Sequence, residues 1–585
     1  MKAGKPNLSL VAILSAMWGA FARRCAWQSA YACALVFALL TTPALAHSKK
    51  AKDLDGKNGD KKVEVIIQFV ARPDKKDFEI VKKHGGDLRR NLRAIKGGLF
   101  RVPANALDAL AHNPHVTYIS PNRSLSGAHD YFVTTVGADI AQYDFALKGT
   151  GVAVAVIDSG ISSHVDLTDA QTNASRVVYS ENFTENGDAS DGYGHGTHVA
   201  GIVAGNGEAS GGLGSLAYRG VAPAANIVNL RVLGSQGSGT DASVVAAIQR
   251  AIELKDTYNI RVINLSLGRP VMESYQLDPL CQAVEAAWRA GIVVVTAAGN
   301  FGRDTSLGTN GYGTITSPGN DPYVITVGAT NTLATIGRGD DYVATYSSKG
   351  PSLVDHVVKP DLVAPGNSIT ALLAKGSTLA GKYPQNKVYV LDSGSYSAKY
   401  FRLSGTSMAA PVVSGAAALL LEKDPSLNPD QVKARLMKTA WKDFPRYSYA
   451  TLDGSTITIQ NDIFTVGAGY LDIPAALQNA DLAEGTAMSP IAVRDELGNV
   501  SLVSDASAIW DNSVLWGNSV LWGSSVVWGS DVLLSGTSVL WGSSVLWGSN
   551  TVDGSSVVWG SSVIWGAAAD QTAAENIDAE GDGYQ

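Results

Sequence analysis

Cysteine is nearly missing from this chain of 585 residues: there are three, at positions 25, 33 and 281. The first two fall in a leader expected to be removed, so an exported product would keep Cys281 alone and have no internal disulfide. Its stability must then come from core packing or bound ions. Cys281 stands at helical spacing with Val284 and Trp288, which predicts a small core residue. Long apolar runs are also scarce, and none after residue 46 is long enough to span a bilayer as a helix. No H-E-x-x-H and no D-x-D-x-D-G occurs, so neither the zincin helix nor the EF-hand loop is present. Basic residues thin out sharply along the chain. Residues 47–123 carry 17 Lys+Arg against 9 Asp+Glu, a balance of +8, whereas residues 124–585 carry about −19 of the total of −7. A body of that sign argues against nucleic-acid binding, and a basic leader before it implies complementarity between the two.

The leader has the parts of an export signal. Ser29–Leu40 holds an apolar core, Ala44-Leu45-Ala46 fits the small-x-small cleavage pattern, and Arg23-Arg24 reads as an ordinary basic n-region. A start at Met17 would give it a more usual length. The expected location is therefore extracellular.

Three segments carry chemistry. Gly151–Ile161, G-V-A-V-A-V-I-D-S-G-I, predicts a strand buried on both faces that ends in Asp158, where parallel sheets build their sites. Gly194–Gly201, G-H-G-T-H-V-A-G, predicts a close backbone passage and a helix from about Thr197. His195 and His198 could bind a metal, but their spacing is three and no ligating glutamate lies between them. Leu403–Pro411, L-S-G-T-S-M-A-A-P, sets Ser407 at the start of a small-residue helix, whose first N–H groups and positive dipole end welcome negative charge. Its G-T-S-M-A context is not the G-x-S-x-G elbow of α/β-hydrolases.

Asp158, His195 and Ser407, in that order and in those settings, resemble the subtilisin-like serine peptidase family (peptidase S8). The wording of Asp278–Val295, of the segment from Tyr312 and of K-P-D-L-V-A-P-G from Lys359 is similar to its AprX-type subgroup. The resemblance covers roughly Asp130 to Asn479. It implies a serine endopeptidase with an α/β, parallel-sheet catalytic domain. In that family the serine attacks, the histidine moves the proton and the aspartate orients the histidine, with no cofactor for catalysis. It also implies that Asn300, closing the strand I-V-V-V-T-A-A-G-N, donates to the oxyanion together with the serine N–H. Ser266, Leu267 and Gly268 would line one wall of the primary specificity pocket, with Ala297, Ala298 and Gly299 on the other. Gly237, within Gly234–Gly239, would belong to a flexible segment that pairs with extended substrate. Arg269 departs from the glycine common in relatives. Family members often bind structural calcium, for which the acidic loop Glu181–Asp191 offers ligands, although the metal site is not defined. Protein or peptide substrates and a monomer are expected.

The chain is expected to divide into six segments: a signal (1–46), an inhibitor-like pro-domain (47–125), the peptidase domain (126–481), a polar spacer (482–504), Ser-Val-Leu-Trp-Gly hexapeptide repeats (505–566) and an acidic disordered tail (567–585). In the pro-domain, strands are expected at Val63–Phe69, Leu99–Val102 and Val116–Ile119, and helices at Asp74–His84 and Ala104–His112. This resembles the family's small α+β pro-domain, which makes a zymogen and inhibits the enzyme from within; an unrelated adaptor domain is the other reading. Its exit, Tyr118–Arg123, would be the first substrate. The repeats read N-S-V-L-W-G and S-S-V-V-W-G, and eight of the 12 tryptophans lie there. An even period keeps Ser, Val and Trp on one face of an extended chain, which suits a β-helix or a two-sheet ribbon. Such a β-rich extension is expected to contact the cell envelope or an insoluble substrate, or else to bury its tryptophan row for stability. The rival reading of the whole chain is a surface adhesion protein whose working part is this tail.

Overall fold

The computed structural model describes residues 49–503 except 52–53, 55–58, 60, 123–130, 212–217, 305, 307–308, 393–394, 453–454 and 495–498, and beyond them 534–535, 538–540 and Asp582. The signal and most of the repeats lie outside the described residues. The chain divides into two units, residues 1–126 and 127–585.

In the first unit, alternation decides the sheet. β1 (Lys62–Phe69) turns Val65, Ile67 and Phe69 inward, and these are buried. β2 (Asp87–Leu92), β3 (Gly97–Pro103) and β4 (Val116–Pro121) complete an antiparallel sheet in the order β2-β3-β1-β4. α1 (Lys75–Lys83) starts at Asp74, whose carboxylate accepts from the backbone of Lys76 and Asp77 in a capping box. The expected helix over Ala104–His112 is instead a 3₁₀ turn, Ala104–Ala106, followed by α2 (Leu107–Ala111). The sequence does not predict β2, because D-L-R-R-N-L has no apolar alternation. It is an exposed edge strand held by its pairing with β3.

In the second unit, continuous β-branched runs become central strands. β5 (Ala153–Asp158) is buried throughout. β6 (Val177–Asn182), β7 (Asn226–Arg231), β8 (Ile260–Leu265), β9 (Val293–Ala297) and β10 (Ile325–Asn331) join it in the order β10-β9-β8-β5-β7-β6, all parallel. β11 (Tyr342–Val343) adds an antiparallel edge to β10, and β12 (Leu362–Pro365) pairs with β10 in parallel. The sheet is therefore mixed but mainly parallel, as an α/β fold requires. β5 lies between β7 and β8, so chain connections leave it toward both sides. That reversal opens a crevice at the carboxyl ends of the strands, beside Asp158.

Four helices position or flank that crevice: α3 (His195–Ala204), α4 (Asp241–Glu253), α5 (Pro279–Arg289) and α6 (Thr406–Lys423). α6 is buried over Thr406–Leu421 and packs on β8, β9, β10 and α3. Cys281 is buried in α5, as its spacing predicts. The stretch 482–504, expected as a spacer, is tied to the domain. Val358 N–H donates to Pro490 O at 2.8 Å, and the buried Ser489 Oγ donates to Asp361 Oδ1 at 2.5 Å. The strands Ile491–Arg494 and Asn499–Val503 then pair, and Ser538–Leu540 and Leu534–Ser535 extend that sheet.

Candidate active site

Asp158 ends β5 with its carboxylate in the crevice. His195 opens α3, and its Nδ1 lies 2.8 Å and 3.0 Å from the two oxygens of Asp158. Asp158 Oδ1 also accepts from Ser159 N–H at 2.7 Å, which fixes the carboxylate. Both Asp158 and His195 are almost fully buried. In this geometry Nδ1–H donates to the carboxylate, and the ring turns Nε2 away from it.

The helix starts two residues before Thr197, and the cause is Asp191. Its buried carboxylate accepts from Gly194 N–H at 2.6 Å, Thr197 N–H at 2.8 Å and Ser159 Oγ at 2.8 Å, so it serves the orphan donors of the first turn. Burial pushes this carboxyl above the usual carboxylate range, and the hydrogen bonds from Thr197 and Gly194 oppose that shift. Gly194 precedes the helix at φ +108°, a left-handed conformation open to glycine. At Gly196 a Cβ would come within 2.3 Å of Gly160 O, so only glycine lets α3 close on the end of β5. The sequence marks Asp191 only as a calcium ligand. Its neighbours are also engaged: Glu181 accepts from Tyr179 and pairs with Arg250, and Asp188 accepts from Ser190. Among the described residues no cluster of three His, Cys, Asp or Glu is arranged to hold a metal ion.

His198 has a different environment. It is fully buried, and its Nε2–H points at the carbonyls of Ile369 and Phe401, both at 3.1 Å. Burial pushes its pKa down to about 3, so it stays a neutral donor that ties α3 to its neighbours.

Ser407 is the second residue of α6, which Gly405 precedes with no side-chain cap. Pro411 lies one turn later and has no N–H to give to the carbonyl of Ser407. Ser266 replaces that bond: its Oγ donates to Ser407 O at 2.8 Å, and Ser407 Oγ donates to Ser266 O at 3.2 Å. Asn264 Nδ2 holds Ser266 Oγ at 2.9 Å, and Ser414 holds Asn264 Oδ1 at 2.8 Å. The end of β8 is thus stapled to the first three turns of α6. Ser266 is 3 % exposed, and its hydroxyl is spent on this staple.

Asn300 reaches the same helix start. Its Oδ1 accepts from Thr406 N–H at 2.9 Å and Thr406 Oγ at 3.0 Å, and Thr406 Oγ lies 3.1 Å from Gly299 N–H. With Oδ1 held by two groups of Thr406, the amide turns its Nδ2 the other way. The sequence pattern does not single out Thr406, although it stands inside the same S-G-T-S-M run.

The two expected pocket walls are joined by Thr316. A Cβ on Gly268 would lie 2.6 Å from Thr316 Oγ, one on Gly299 would lie 2.8 Å from Thr316 Cγ2, and Thr316 N–H donates to Ala298 O at 3.1 Å. Ala297 and Ala298 are buried, and Leu267 is half-buried. Gly237 packs on the ring of Tyr193, where a Cβ would come within 2.6 Å, and that ring lies 6.5 Å from His195. The Gly234 and Gly237 N–H groups close a turn of their own. Arg269 is paired with Asp241 at 3.0 Å and with the buried Asp278 at 2.9 Å, so its charge is spent on the first residue of α4 and the cap of α5.

Comparisons with known proteins match more than half of the chain. The family model described as the subtilase family, Peptidase_S8, matches residues 149–470. Serine protease AprX of Bacillus subtilis is 34% identical over 417 residues, covering 69% of this chain and 88% of the relative. Subtilisin E of the same organism is 32% identical over 456 residues, covering 76% and 98%. Subtilisin DY of Bacillus licheniformis is 35% identical over 349 residues, covering 60% and 98%. One of these relatives is named a serine protease and the other two subtilisins, and none of these names favours the adhesion reading.

Proposed function

Because this chain belongs to the subtilase family of serine peptidases, we propose that it is an exported endopeptidase, made as a zymogen, in which Ser407 is the nucleophile. The observation that carries the assignment is the Asp158–His195 hydrogen bond at 2.8 Å at the end of β5, which pairs with β8, the strand whose end Ser266 staples to Ser407. A serine hydroxyl is a weak nucleophile until a base takes its proton. His195 Nε2 takes it as Oγ attacks the peptide carbonyl, and returns it to the leaving amine. Asp158 holds the ring in the tautomer that leaves Nε2 as the acceptor and steadies the imidazolium. The tetrahedral oxyanion is met by Asn300 Nδ2 and by the N–H of Ser407. Water then cleaves the acyl-enzyme by the same steps in reverse.

Asn300→Ala should lower kcat about 10²–10³-fold with KM little changed, since its donor acts only on the transition state; that scale comes from subtilisin, a relative. Soluble-peptide kinetics check this. A loss confined to KM would put Asn300 in substrate binding instead.

We propose further that residues 47–125 inhibit the peptidase. The support is a core of their own around Val65, Ile67 and Phe100, and a balance of +8 against about −19. The segment 47–123 added in trans should inhibit more weakly as salt rises, because the screening length is about 8 Å at physiological ionic strength and shortens above it. An inhibition constant that does not change with salt removes the electrostatic part.

For the repeats, the reading is attachment to the cell envelope or an insoluble substrate through a row of tryptophans. Deleting residues 505–585 should abolish particle association and leave soluble-peptide turnover intact. Unchanged association with a lowered melting temperature would mean that the row serves stability alone.

A further inference from the structure

The acidic stretch Ala567–Gln585 contains five acids and no bases, a composition that predicts disorder, yet at one of those acids the structure differs, because the residue is held and buried in the peptidase unit. Asp582 is 3 % exposed. Its Oδ2 accepts from Thr345 N–H at 2.8 Å, and its Oδ1 accepts from Thr345 Oγ at 2.6 Å and from Arg303 Nη2. Arg303 Nε in turn donates to Thr345 Oγ at 2.6 Å, and its guanidinium lies 5.8 Å from the ring centre of Tyr346. The backbone of Asp582 is read too. Its N–H donates to Asn367 Oδ1 at 2.7 Å, and its carbonyl accepts from Asn367 Nδ2 at 2.8 Å.

We infer that Arg303, Thr345 and Asn367 form a docking socket for one aspartate of the chain's own C-terminal peptide. Three features suit that occupant. The side-chain amide of Asn367 pairs with both backbone groups of one residue, as a neighbouring strand would, so the depth of the residue is set before its side chain is read. From that depth a one-methylene carboxylate meets Thr345 and Arg303; glutamate is longer by a carbon and asparagine brings donors where acceptors are needed. With Asp582 seated, Thr345 and Asn367 are buried, at 4 % and 2 % exposure, and the aspartate supplies their polar groups with partners in place of water.

The socket lies at the carboxyl-end side of the sheet. Arg303 follows Asn300 by three positions, and Asn367 follows Pro365, the last residue of β12. This inference stands independently of the peptidase reading.

Full-length Ser407→Ala protein, treated with a nonspecific carboxypeptidase and followed by intact mass, tests it. Digestion should pause once Gly583–Gln585 are gone, and passage through position 582 should be about tenfold or more slower than in the Asp582→Asn variant, since hydrogen bonds to a charged group contribute about 1.5–3 kcal/mol. Arg303→Gln should likewise release the end, and Asp578→Asn should not. A peptide of residues 574–585 in excess should speed digestion by competing for the socket, and the same peptide carrying Asp582→Asn should not. Asparagine has nearly the size and shape of aspartate, so Asp582→Asn does not threaten the fold. Equal digestion of the parent and Asp582→Asn proteins, or an equal effect of Asp578→Asn, overturns the inference.

Discussion

Ser407→Ala should hydrolyse peptides about a millionfold more slowly and accumulate as a precursor that still carries residues 47–125. The scale is that measured in subtilisin, a relative, when its nucleophile is removed. The reason is local. Ser407 stands at the opening of α6, and the two hydroxyls beside it are engaged elsewhere: that of Ser266 donates to Ser407 O and that of Thr406 to Asn300 Oδ1. Alanine is a good helix former, and the bond from Ser266 goes to the carbonyl of residue 407 rather than to the lost hydroxyl. The fold should therefore survive, with a melting temperature within a few degrees of the parent. Gel analysis of the purified protein and peptide kinetics read both outcomes. Normal maturation of the purified variant, with no other protease present, would falsify self-processing.

Asp158→Asn should lower kcat by about 10⁴ while changing KM little. The carboxylate accepts from His195 Nδ1, with oxygens at 2.8 and 3.0 Å, and an amide offers donors there as well. An asparagine that turns its NH2 to the ring favours the tautomer protonated on Nε2, which cannot take the proton from Ser407. The variant should keep its fold, since Ser159 N–H can still donate to the amide oxygen. A fall of less than tenfold would mean that His195 is oriented by something other than Asp158.

How much is legible in the sequence depends on distance along the chain. β5 and β9 are legible because six and five consecutive buried residues, rich in valine, suit only a strand covered on both faces. Asp158, His195, Asn300 and Ser407 stand in short runs whose glycines and small residues reveal tight backbone approaches. The structure brings Asp158 and His195 into contact and holds Asn300 and Ser407 at one helix start. The illegible parts depend on long-range closure. Asp191 looks like any acid in a polar loop until the turn folds its carboxylate back under the first N–H groups of α3. Thr316 joins two pocket walls from which it is distant in sequence. The stretch around Ser489 reads as a polar spacer because its serine satisfies a buried aspartate that composition alone does not reveal. Asp582 meets three residues from three separate loops, and no local pattern marks that meeting.

The central claim, that His195 activates Ser407 as a nucleophile, is tested most directly by a fluorophosphonate ester followed by peptide mapping. Attack by Ser407 Oγ on phosphorus forms the phosphonyl ester and expels fluoride, with the serine proton taken by His195. The account predicts one phosphonyl group per wild-type chain, on Ser407, with labelling slowed by orders of magnitude in His195→Ala. A label on another residue, or equal labelling of Ser407 without His195, would contradict it.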